Sequence, residues 1–194
     1  FSGLSFVPMK DTICLYNFAF HGLFMLAMMN LDGLTFQLLW PNAPDWNNVG
    51  LLFFILTALG FCVEFGRQFV KAETYSPKFN KAGGIVSKVL FVAGVAALFA
   101  PYRPMALFCA LSVLVSITIV IGGAIGSMRS GYGPARMFLI AWGGMLVGIL
   151  AKVLSLLGKV PDVAVTQYGV HAGFALEAAL ISVALITRFV DEKD

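Results

Sequence analysis

Apolar residues run almost unbroken through six stretches of the chain, approximately 12–31, 49–70, 84–101, 104–127, 136–157 and 167–188, with polar residues gathered between them. An α-helix needs roughly 20 mostly apolar residues to cross a bilayer, so each stretch predicts a spanning helix. Barrel strands would instead alternate apolar and polar positions over about 10 residues, and these runs are too long and too continuous for that. The pattern predicts an all-α, polytopic membrane helix bundle with six complete spans. The opening residues, FSGLSFVPMKD, read as the tail of an earlier helix. The expected organisation is a truncated first helix and cytoplasmic turn over 1–8, the bundle over 9–189, and the start of a cytoplasmic juxtamembrane helix over 190–194. With the truncated helix completed, the parent protein would have seven spans.

Composition strengthens the membrane assignment. Hydrophobic residues make up 59% of the 194 and charged residues 12%, and the mean hydropathy is +0.88. That leaves too little polar surface for a water-soluble domain of this length. The formal charge of +3 matters less than where the positive residues lie, because cytoplasmic loops carry an excess of Lys and Arg. Lys10 precedes the first run, while Arg67, Lys71, Lys78, Lys81 and Lys88 surround the second connection. Arg129 and Arg136 flank the fourth connection, and Arg188 and Lys193 follow the last run. The intervening connections hold only Arg103 and Lys159. Both ends of the chain are therefore expected in the cytoplasm, the bilayer is the expected partner, and no nucleic-acid surface is expected.

The connections differ in character. The first outer one, NLDGLTFQLLWPNAPDWNN, holds Trp40, Trp46, two prolines and four asparagines. Tryptophans favour the headgroup level and the other residues favour turns. An interfacial cap is expected there, and Trp40, Asp45 and Trp46 are also the candidate surface for an outer ligand. The next connection, GRQFVKAETYSPKFNKAGG, reads as a basic interfacial segment broken at Ser76-Pro77. PYRP is so short that its flanking helices must be antiparallel neighbours. Gly122 with Gly126, and Gly144 with Gly148, form GxxxG pairs, and the last run is rich in Ala, Gly and Ser. Small residues let membrane helices approach closely, within the chain or across a homodimer.

Chemistry-bearing motifs are scarce. There is no phosphate-binding glycine loop, no HExxH, no GxSxG and no aspartate pair at helical spacing, so neither a catalytic site nor a metal nor a cofactor is expected. The three cysteines, Cys14, Cys62 and Cys109, lie inside apolar runs without CxxC spacing and read as small packing residues. The two histidines, His21 and His171, stand alone on their helices. Each reads as an interhelical hydrogen-bonding group, with a pH-sensitive role as the sharper alternative.

Glu177 stands out, because it sits near the middle of the last apolar run. A carboxylate facing lipid there costs roughly 2.5–3.5 kcal/mol even on lenient scales. It must face the bundle interior, paired, hydrogen-bonded or protonated. Lys152 is a conceivable partner lying nearer the outer surface, and Thr118, Ser116 and Trp142 are alternative donors. Structural bracing, a switchable polar lock and a transported proton or ion are the three roles open to it; His171, Lys152 and Arg188 complete the candidate polar set. Glu64 and Arg67, one turn apart, are expected to form an interfacial pair.

Four segments in register, LDGLTFQLLWPNAPDWNN, GRQFV, GYGPARMFLIAW and LGKVPDVAVTQYGVHAGFALEAALISVALITRF, resemble the bacterial seven-transmembrane receptors with diverse intracellular signalling modules. The resemblance covers Phe6 to Phe189. It implies a multi-pass inner-membrane receptor, with a sensor domain outside and a diguanylate cyclase, histidine kinase or phosphatase output domain in the cytoplasm, both lying beyond this chain. His171 stands where that pattern has a glutamine-type residue, and ITRFVDEKD replaces its aspartate-rich helix end. Under this reading the last helix is the output shaft and Glu177 holds its register.

Two other classes remain open. A small transporter or channel would show broken helices or an inverted repeat, and neither is evident. A membrane enzyme would need Glu177, His171 and Lys152 to converge, but residues six apart on a helix point to different faces.

Overall fold

The computed structural model describes residues 7–156 together with 161, 169, 171, 173–181 and 183. Among these residues the chain is helical between turns: α1 (Val7–Leu31), α2 (Leu34–Leu38), α3 (Pro44–Phe69), α4 (Ala72–Tyr75), α5 (Pro77–Ala97), α6 (Tyr102–Arg129) and α7 (Pro134–Leu156). Residues 173–181 continue the helical pattern. Thr12–Leu31, Asp45–Phe69, Pro77–Ala97 and Tyr102–Arg129 are each long and apolar enough to cross a membrane. A polytopic helical membrane bundle is the architecture that results. The short helices α2 and α4 lie in the two connections expected to be interfacial.

Local sequence explains the helix boundaries. Pro44 and Pro77 open α3 and α5 at their first position, where the absent N–H would have had no helical partner. Asp45 lies in the first turn of α3, favourably placed against the positive end of the helix dipole. Gly33 ends the turn after α1 with φ of 75°, a left-handed conformation that glycine adopts without a Cβ clash. Lys71 takes the same region with φ of 49° between α3 and α4.

The chain divides into two compact units, Phe1–Gly123 and Ala124–Asp194. In the first, α3 packs against α1 on one side and α5 on the other. Glycines bring α3 and α5 close: a Cβ on Gly60 would lie 2.8 Å from the Phe91 ring, and one on Gly94 would lie 2.7 Å from Thr57 Cγ2. Close backbone approach is how helices pack in a bilayer, where apolar attraction between helices is absent. α5 and α6 are antiparallel neighbours, as the PYRP turn requires. Opposite that turn, Phe79 lies where a Cβ on Gly122 would come within 2.5 Å, and Ser76 Oγ donates to the Gly123 carbonyl at 3.1 Å.

The second unit contains the end of α6, a tight turn with Gly131 at φ of 92°, α7 and the 173–181 helix. Phe138 and Trp142 are fully buried and stack at 5.4 Å. A Cβ on Gly144 would meet Leu176 Cδ2 at 3.3 Å, so α7 and the last helix touch. Both first members of the two GxxxG pairs are thus occupied within the chain. Of the cysteines, Cys14 is exposed on α1 while Cys62 and Cys109 are buried; all three are free thiols.

Candidate functional site

Among the described residues, three polar sites stand out in this apolar structure. At the end of the first unit where α1 runs into α3, the connection between them folds into an aromatic cap. Trp40 stacks on Phe54 with ring centroids 6.2 Å apart and meets Trp46 edge-on at 6.3 Å. Asn47 Oδ1 accepts hydrogen bonds from Trp40 Nε1 and from the Thr35 hydroxyl, each at 3.2 Å. Thr35 is fully buried, so Asn47 supplies a partner that water cannot. Trp46 is partly exposed and Asp45 exposed. Asn47→Ala is expected to destabilise the cap by about 1–3 kcal/mol, the cost of leaving the buried Thr35 donor and the half-buried Trp40 donor unmatched. A red shift and broadening of tryptophan emission would report it.

At the opposite end of the same unit, Glu64 and Arg67 form the expected pair and extend it across helices. Arg67 Nη1 donates to both carboxylate oxygens of Glu64, at 2.7 and 2.8 Å. Arg67 Nε donates to Asn80 Oδ1 at 3.0 Å, and the Ser87 hydroxyl donates to Glu64 Oε1. Asn80 and Ser87 belong to α5, so the pair clamps α3 to α5. Gly83 and Gly84 make room for it: added Cβ atoms there would stand 2.7 Å from Arg67 Cδ and 3.1 Å from Arg67 Nη1. Sequence spacing identifies the i, i+3 pair but not its α5 partners. The signal for those was the polar Ser87 next to a Gly-Gly step in an apolar run.

The third site is Glu177 on the 173–181 helix. Its side chain is fully buried, as are those of Ile181 one turn on and of Trp142 on α7. Leu176 and Val183 are exposed, so the helix presents distinct buried and exposed faces. His171 is exposed and does not share the buried face with Glu177, as their separation of six residues implied. Thr118, one of the donors considered for Glu177, is exposed and gives its hydroxyl proton to the Leu114 carbonyl of its own helix at 2.8 Å. Lys152 is a helical position of α7 whose side chain lies outside the described residues, and Arg188 also lies outside them. Among the described residues, no three His, Cys, Asp or Glu side chains come together as metal ligands.

Compared with protein families, residues 1–188 match the one described as 7TM diverse intracellular signalling. The chain belongs to that family. The match spans both units and all three polar sites, and it makes the chain a transmembrane signalling module. Its domain is a sensory module. Neither the curated proteins nor the solved structures contain a match to this chain.

Proposed function

We propose that this signalling module relays a ligand signal from the periplasmic side to a cytoplasmic output domain, a diguanylate cyclase, histidine kinase or phosphatase, through movement of the last helix. The observation that carries the proposal is Glu177, an ionisable group with no exposed surface on an otherwise apolar helix. An intramembrane carboxylate is retained at a cost, and a polar lock that prefers one of two helix registers gives that cost a use. A ligand shifts such an equilibrium only by interacting differently with its two states. The positive-inside pattern supports an inner-membrane location with the C-terminus in the cytoplasm. A homodimer of the parent through helix packing belongs to the same proposal, resting on the ability of small-residue faces to bring membrane helices close together.

The test uses the full-length parent with its output domain. Glu177→Gln keeps the shape of the side chain and removes its ability to carry charge. Output in the absence of stimulus is expected to change roughly fivefold or more, in line with ordinary coupling energies, while the amount of protein in the membrane stays the same. Unchanged basal and stimulated output at normal expression would overturn the register-lock reading.

A further inference from the structure

A cleft of about 600 Å³ opens between α1, α3 and α5, lined by Tyr16, Phe61, Glu64, Arg67, Ser87 and Lys88 among others. Its polar residues lie at similar depth. Counting 1.5 Å per residue from the ends of the apolar runs, Tyr16 and Lys88 sit about 6 Å inside and Glu64 about 9 Å inside. Charged groups at this depth need partners that hydrocarbon cannot supply. Glu64 has them in Arg67 and Ser87. Arg67 commits Nε and Nη1, leaving Nη2 without a hydrogen bond among the described residues. Lys88 is exposed and lacks an ion pair among them. The cleft therefore holds two cations and one anion, a net charge of about +1, with unspent donors on both cations.

Lys88 also lines a second depression. This groove, of about 410 Å³, runs between α5 and α6 along Val89, Val92, Ala93, Ala96, Met105 and Phe108. Apart from Lys88 its walls are apolar, and it leads from the charged cleft towards the far end of α5. A positively charged cleft just below the interface, joined through one lysine to an apolar groove running deeper, has the shape and charge of an amphiphile with an anionic head. We propose that an anionic phospholipid binds here, its phosphodiester held by Lys88 and Arg67 Nη2 and one acyl chain lying in the α5–α6 groove. Lys88 suits the role because its long aliphatic stem can follow the groove while the ammonium reaches up to the phosphate.

Native mass spectrometry of the purified chain tests this, with the detergent micelles supplied equally with phosphatidylglycerol and phosphatidylcholine of identical acyl chains. The unaltered chain is expected to retain phosphatidylglycerol at least fivefold more than phosphatidylcholine. Lys88→Gln should lower that preference about fivefold, the contribution of one basic residue near an anionic lipid. Lys88→Arg should keep it. Lys78→Gln, which removes the same charge from the exposed start of α5 outside the cleft, should also keep it. Equal retention of the two lipids, or equal losses in Lys88→Gln and Lys78→Gln, would overturn the site in favour of a diffuse charge effect. Displacement of the lipid by millimolar glycerol 3-phosphate would overturn it in favour of a soluble phosphate ligand.

Discussion

Arg67→Met is expected to destabilise the first unit by about 3 kcal/mol, read as a lower midpoint in unfolding by an ionic detergent from mixed micelles. The physical reason is asymmetric. Losing the guanidinium removes two hydrogen bonds to Glu64 and one to Asn80, but the larger cost is the carboxylate left behind between two helices. Removing one partner of a shielded ion pair costs about 3–5 kcal/mol because the other charge stays unmatched. The pair keeps some exposed surface, 23% for Arg67 and 16% for Glu64, which places the expected value at the lower end. The same logic fixes the sign of a second measurement. Adding Glu64→Gln to Arg67→Met should recover part of the loss, since a neutral amide next to Ser87 is cheaper to shield than a bare carboxylate. A double variant less stable than Arg67→Met would contradict the account.

The second large effect belongs to the seam between α3 and α5. Gly94 is buried, and even a methyl group there would meet Thr57 Cγ2 at 2.7 Å. Thr57 cannot easily turn away, because its hydroxyl donates to the Phe53 carbonyl at 2.6 Å and its branched side chain is stiff about χ1. Gly94→Leu adds three further carbons to this contact. The helices must separate or tilt, at an expected cost of about 2–3 kcal/mol. Gly22→Leu makes the informative control, since nothing lies within 4 Å of its Cβ position. It should change the unfolding midpoint little, by about 0.5 kcal/mol or less. Equal effects at the two glycines would mean that helix propensity, not the seam, governs the response.

Hydropathy made the bundle legible, and its errors have identifiable causes. The run at 104–127 foretold α6, observed at Tyr102–Arg129, within two residues at each end. The run at 84–101 was less faithful to α5, which spans Pro77–Ala97. Its first turns carry Lys78, Asn80 and Lys81, so an apolar criterion misses them although Pro77 announces the helix start. At the other end Leu98, Phe99 and Ala100 are apolar but form the turn leading into Pro101, because a residue before proline is pushed out of the helical region. The short helices α2 and α4 have no periodicity long enough to read.

The sites were legible only as far as their groups are local in sequence. Glu64 and Arg67 share one helix face and could be paired from their spacing, as could the aromatic character of the Trp40–Trp46 connection. Asn80 and Ser87 joined the ion pair only because Gly83 lets α5 approach the Arg67 stem. Asn47 was one asparagine among four, and nothing in the sequence distinguished it as the acceptor for both Trp40 and Thr35. Glu177 could be recognised because charge is rare at mid-span, and its burial follows from the expense of exposing it to lipid.

The central position of α3 has a consequence for how the protein is made. α3 packs against α1 and α5, the long helices that precede and follow it in the first unit. As the chain leaves the ribosome, α3 therefore enters the bilayer with its first partner already there, and α5 arrives to find the Glu64–Arg67 face waiting. Each docking step joins neighbours along the chain, so the loop to be closed is short and its entropy small. Biogenesis can proceed helix by helix, and the polar clamp becomes shielded when its last contributor, Ser87, is delivered.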